Sequence, residues 1–150
     1  MSSSTLSSTA PPRSNSLRDP AYQTYMLLRT AFTVAPIVFG LDKFFNLLTD
    51  WSRYLSPAVN DLVPGSGHQL MLVVGVVEVV AGLLVAVRPQ LGAYLVVGWL
   101  AGIIVNLLLI PGFYDIALRD FGLLLAALAL ARLVPAFRRH AQGASPRSAS

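Results

Sequence analysis

Apolar residues fall in long blocks along this chain instead of alternating with polar ones. Four blocks can be drawn, at about 25–48, 68–87, 91–110 and 116–134. Each is long enough to cross a hydrocarbon core of roughly 30 Å as a helix rising about 1.5 Å per residue. Breakers separate them: Pro57, then Pro64-Gly65-Ser66-Gly67, then Arg88-Pro89-Gln90, then Pro111-Gly112. The connection between the second and third blocks is so short that those helices must be antiparallel neighbours. The pattern predicts an all-α membrane protein, a four-helix transmembrane bundle. Three regions follow: a disordered N-terminal tail over 1–21, a transmembrane domain over 22–136, and a disordered basic tail over 137–150. The one sizeable loop, 49–67, carries Trp51, Tyr54, Leu55, Val59 and Leu62 at spacings that let a short helix lie in the interface.

Composition supports the membrane reading. The chain is 55% hydrophobic and only 12% charged, where a soluble domain carries about 25% charged residues. There is no cysteine, which excludes disulfide chemistry, thiolate catalysis and cysteine–metal sites for this chain alone. The net charge of +4 hides an uneven distribution. With the N-terminus inside, Arg13, Arg18, Arg29, Arg88, Arg132, Arg138, Arg139 and Arg147 fall on the cytoplasmic side. Only Lys43, Arg53 and Arg119 fall in the outer half. That bias predicts both termini in the cytoplasm. Trp51, Tyr54, Phe113 and Tyr114 are placed for an outer aromatic belt, with Tyr22, Tyr25 and Tyr94 on the inner side.

Glu78 then changes the picture. It sits in the middle of the second apolar block, roughly 13–15 Å deep at 1.5 Å per residue. A carboxyl group there costs several kcal/mol unless paired, protonated or facing water. Lys43 and Arg119 enter from the same side with long side chains, and Asn106 lies at a depth similar to Arg119. The expected cluster is Glu78, Lys43, Arg119 and Asn106, with Asp42, Asp115 and Asp120 around its mouth. Either Glu78 forms a buried ion pair that fixes helix register, or the cluster lines a water-accessible pocket open to the outer face. Helical spacing also aligns small and polar residues into stripes expected to face inward: Arg29, Thr33, Pro36, Gly40 and Lys43 on the first helix, Gly75, Glu78 and Gly82 on the second. Gly98, Gly102 and Asn106 form the third stripe, and Arg119, Gly122, Ala126 and Ala129 the fourth. Gly98 and Gly102 form a GxxxG pair, through which a homodimer is one expected contact.

Three segments resemble the DoxX-like family of small bacterial membrane proteins. Gly40-Leu41-Asp42-Lys43-Phe44-Phe45 resembles its G-x-x-K-F element. Glu78-Val79-Val80-Ala81-Gly82-Leu83-Leu84 resembles its E-x-x-x-G-L-L element. Arg119-Asp120-Phe121-Gly122-Leu123-Leu124-Leu125 is similar to its final span. The resemblance covers roughly 25–133. It implies a multi-pass protein of the bacterial inner membrane, associated with membrane redox chemistry through partner subunits. It carries over Lys43, Glu78, Arg119 and Asp120 as the recurring charged positions; Asn106 has no match.

The candidate binding residues are therefore Lys43, Glu78, Asn106, Arg119 and Asp120. The first functional expectation is an accessory or quinone-interacting subunit of a membrane redox complex. Quinone is the one cofactor in view, with Lys43, Glu78 or Asn106 as hydrogen-bond partners. The alternatives are a small transporter or lipid carrier built on Glu78, and a purely structural or assembly protein. Expected partners are the bilayer, membrane or secreted redox proteins, and a second copy; no nucleic acid is expected. An autonomous enzyme is not expected, since no nucleophile–base–orienter set can be read. No metal site is expected, because His68 is a lone candidate at a helix start and His140 lies in the basic tail.

Overall fold

The computed structural model describes residues 19–62 and 65–143, with side chains through Phe137. All regular structure among them is helical: α1 (Pro20–Phe45), a 3-10 turn (Trp51–Tyr54), the short α2 (Pro57–Leu62), α3 (Gly67–Val87), α4 (Pro89–Leu108) and α5 (Tyr114–Gly143). Four segments are long and apolar enough to cross a membrane: α1, α3, α4 and the Tyr114–Phe137 part of α5. The chain is a multi-pass, all-α membrane bundle. An even number of spans puts both ends of the bundle on one side, the terminal side. The α1–α3 and α4–α5 connections lie on the other, the loop side.

Local chemistry sets the helix limits. Asp19 accepts a hydrogen bond from the Ala21 amide at 3.0 Å, and Pro20 opens α1. A capping box of Ser66 and Gln69 starts α3. Asn46, at φ 50° and ψ 42°, turns left-handed and ends α1. The first apolar block runs on through Leu47 and Leu48, but the helix does not. The Asp42 carboxylate accepts from both of their amides, each at 3.1 Å, and pulls the chain around.

The C-terminal boundary also differs from the sequence expectation. A tail beginning at residue 137 is expected, yet α5 continues past Pro135 to Gly143. Proline removes one hydrogen bond, but the segment after it is rich in the helix formers Ala, Arg and Gln. Phe137 is an anchor rather than tail: its ring stands 5.4 Å from Tyr25 and 6.0 Å from Tyr22. At the other end, α1 already includes Pro20 and Ala21. The tail expectation for 1–18 and 144–150, and the breaker at Pro64, lie outside the described residues.

The helices pack as two close pairs, α1 with α3 and α4 with α5, which meet each other more sparsely. Glycines make the first pair close. A Cβ on Gly40 would stand 2.6 Å from the Gly75 carbonyl oxygen, and one on Gly82 would stand 2.7 Å from that of Thr33. The apolar core fills the terminal half, where Phe32, Ala81, Val85, Ala93, Val96, Leu100, Ala127, Leu130, Ala131 and Val134 form one cluster.

Most of two expected inward stripes faces outward, with Asn106 and Ala126 the half-buried exceptions. Gly98, Gly102 and Gly122 are exposed and have no neighbour within 4 Å of a built Cβ. Helix α5 buries Ala117, Ala127, Leu130, Ala131 and Val134, while Arg119 and Ala129 are exposed. Lipid offers apolar side chains as good a solvent as protein does, so packing fit decides which face is buried. Here alanines on α5 interlock with Ala93, Val96 and Leu100 on α4. The homodimer expected through Gly98 and Gly102 would use this outward face.

Candidate functional site

Gly40 and Gly75 bring the backbones of α1 and α3 together one turn from the residues that matter. Lys43 follows Gly40 by three positions and Glu78 follows Gly75 by three, so both side chains enter the same seam. Lys43 Nζ donates to Glu78 Oε2 at 2.6 Å. Lys43 is 3% exposed and Glu78 9%, so this is a buried ion pair inside the membrane-spanning part of the chain. Low dielectric strengthens the attraction and raises the cost of leaving either group alone.

The loop side closes over this pair. Lys43 Nζ lies 3.8 Å from the centroid of a Trp51 ring, a cation–π contact. Trp51 Nε1 donates to Asp42 Oδ2 at 2.7 Å, which holds the indole in place. Asp42 is thus buried and doubly used: it ends α1 through Leu47 and Leu48, and it orients Trp51 over Lys43. It is a cap under the loop rather than a charge at an open mouth. The pattern of apolar positions could not show this, because Asp42 and Trp51 meet through a turn and not through a helical repeat.

Asn106 pins the loop at a second point. Its Nδ2 donates to the Tyr54 carbonyl at 2.6 Å, and its Oδ1 accepts from the Ser56 amide at 2.9 Å. Ser56 is fully buried, and its hydroxyl accepts from the Val59 amide at 3.2 Å to start α2. A row of rings, Phe39, Trp51, Tyr54 and Phe113, spans the plate, with successive centroids 6.1, 6.0 and 5.2 Å apart. Asp50 opens the 3-10 turn. Hydrogen bonds from the Ser52 hydroxyl and amide hold its exposed carboxyl below the usual carboxylate range.

Replacing Asn106 with Ala would leave the Ser56 amide buried without a partner, at a cost of about 1–3 kcal/mol. The expected outcome is faster hydrogen exchange over 49–62 with unchanged protection in α3. Equal exchange in variant and wild type would mean that Asn106 does not hold the loop.

On its far side Glu78 faces α4 and α5. Trp99 and Asp120 both lie within interaction range of its carboxylate. Trp99 Nε1 is buried; it interacts with the Glu78 carboxylate but closes no full hydrogen bond among the described residues. Asp120 is half-buried beside exposed Arg119.

Of the five residues named from sequence, the structure therefore brings Lys43 and Glu78 into contact and Asp120 near them. Asn106 belongs to the loop clamp, and Arg119 is exposed and makes no salt bridge with Glu78. Asp115, expected at the mouth, is exposed. Trp99 was not singled out by sequence, since an indole in an apolar block carries no pattern of its own. Trp51 was legible only as a belt residue. Among the described residues no group of three or more His, Cys, Asp or Glu is arranged to hold a metal ion.

No family model, no curated protein and no solved structure matches this chain.

Proposed function

We propose that this chain is a DoxX-like accessory subunit of a redox complex in the bacterial inner membrane, and that it docks its partner on the loop side. The observation that carries the reading is the connected chain Glu78–Lys43–Trp51–Asp42, which joins a membrane-buried charge to an ordered external plate. Leu47 and Leu62, each 82% exposed, project from the segment that this plate organises and supply apolar contact. The redox assignment rests on the resemblance of the Gly40–Phe45, Glu78–Leu84 and Arg119–Leu125 segments to that family.

Quinone is the cofactor this reading brings in. Lys43 is engaged by Glu78 and Trp51, and Asn106 is engaged by the loop, so neither is open to a headgroup. Trp99 Nε1 is a buried donor tied only weakly to Glu78, and a quinone carbonyl is an acceptor that suits it. Glu78 lies beside that donor, and Asp120 lies near Glu78.

The test is extraction of the tagged protein from its native membrane in mild detergent, followed by mass spectrometry of bound proteins and quinones. The expected result is a stoichiometric redox partner, lost in Leu47→Arg/Leu62→Arg. Bound quinone is expected to fall in Trp99→Phe, which keeps the ring but removes the donor. A wild type free of both partner and quinone would overturn the proposal and leave a structural bundle.

A further inference from the structure

A groove of about 190 Å³ lies between α1 and the end of α3, lined by Met26, Arg29, Thr30, Thr33, Val34 and Ala86. It is at the terminal end, away from the Lys43–Glu78 site. Met26 and Val34 are exposed, 38% and 51%, so one wall opens towards the hydrocarbon. No acidic side chain lines it.

Depth makes Arg29 informative. Its Cα is about one turn inside Tyr25 on α1, but its guanidinium donates to the carbonyl of Ala86, the next-to-last residue of α3. The side chain therefore reaches back to the level of the helix end and of exposed Arg88. That is headgroup depth. The bond to Ala86 fixes the guanidinium and uses one of its five donors. The remaining donors form no hydrogen bond or ion pair among the described residues. A fixed, cationic fork at headgroup depth, beside hydroxyl-bearing Thr30 and Thr33 and above an apolar wall, fits a phosphodiester with an acyl chain beneath it.

We infer that this groove binds an anionic phospholipid, with the phosphate on Arg29 and one acyl chain along Met26 and Val34. An uncharged or zwitterionic lipid of the same chains fills the apolar wall but gains less from the arginine. Capping of α3 by Arg29 accounts for the bond to Ala86, but not for a groove open to lipid with that one arginine and two threonines in its wall.

The experiment uses the full chain, purified and delipidated in detergent. It is titrated with dioleoyl phosphatidylglycerol, with dioleoyl phosphatidylcholine, and with inorganic phosphate, and bound lipid is counted by native mass spectrometry. The expected result is saturable binding of phosphatidylglycerol about tenfold tighter than phosphatidylcholine, a difference of about 1.4 kcal/mol. Arg29→Gln should abolish that preference. Because Arg29→Gln also removes the bond to α3, Val34→Trp serves as the second variant. It fills the groove from its exposed wall, leaves Arg29 in place, and should weaken phosphatidylglycerol to the level of phosphatidylcholine. Equal affinity for the two lipids in the wild type, or a preference that survives Val34→Trp, would overturn the inference. Competition by millimolar inorganic phosphate would also overturn it, in favour of a soluble-anion site. Loss of the redox partner or of quinone leaves these readouts unaffected, so this inference and the proposed function fail separately.

Discussion

Replacing Lys43 with Met is expected to destabilise the bundle by about 3–5 kcal/mol, the usual cost of stranding one member of a buried ion pair. Glu78 would be left 9% exposed, without its partner at 2.6 Å. Glu78→Ala should cost a similar amount, with Lys43 stranded under Trp51. The double variant Lys43→Met/Glu78→Met should recover most of the loss, because paired apolar side chains of similar volume replace paired charges. Unfolding in a detergent titration, run as a double-mutant cycle, measures the coupling directly. A cost below about 1 kcal/mol for Lys43→Met would place the pair in the range of solvated surface bridges and contradict its burial. The double variant also separates two roles. If it folds as well as the wild type but fails to retain a partner or quinone, the charges serve function beyond holding register.

The α1–α3 seam gives the next largest expected effect. Gly40→Ala puts a methyl group 2.6 Å from the Gly75 carbonyl oxygen and 2.9 Å from a Val79 methyl carbon. A backbone atom cannot swing aside as a long side chain can, so the helices must separate. Overpacking of this kind costs about 1–3 kcal/mol. Separation also lengthens the Lys43–Glu78 contact one turn away, so Gly40→Ala and Lys43→Met should be less than additive. Gly98→Ala is the control. Its methyl group meets nothing within 4 Å, and relief of glycine's backbone entropy should leave stability equal or raised by about 0.5–1 kcal/mol. The same detergent titration reads both. A silent Gly40→Ala would mean that α1 and α3 do not approach as closely as the structure has them.

The contrast between these glycines shows where sequence reasoning stops. Gly40, Gly75, Gly82, Gly98, Gly102 and Gly122 look alike in the chain: each is a small residue on a helical stripe beside other small or polar residues. Three lie in a crowded contact and three in open space. A stripe shows that close approach is allowed on that face, not that a neighbour occupies it.

The sequence by itself determined four membrane-crossing helices, because twenty-residue apolar blocks have no other stable way to satisfy their backbone in lipid. It also marked the breaks at Arg88-Pro89 and Pro111-Gly112. It located Glu78 and pointed to Lys43, because a charge at that depth requires a partner and only a few side chains reach it from the same side. Even the short helix within the loop was legible, as α2 and the 3-10 turn now show. Only the tertiary structure decided the rest. Asp42 as a cap, Trp51 as the lid on Lys43 and Asn106 as a loop clamp all depend on bonds between residues brought together by turns, which helical periodicity does not encode. Which face of α4 and α5 is buried was likewise left open, since in lipid an apolar side chain is satisfied on either side. There, the fit of Ala, Val and Leu against one another makes the choice.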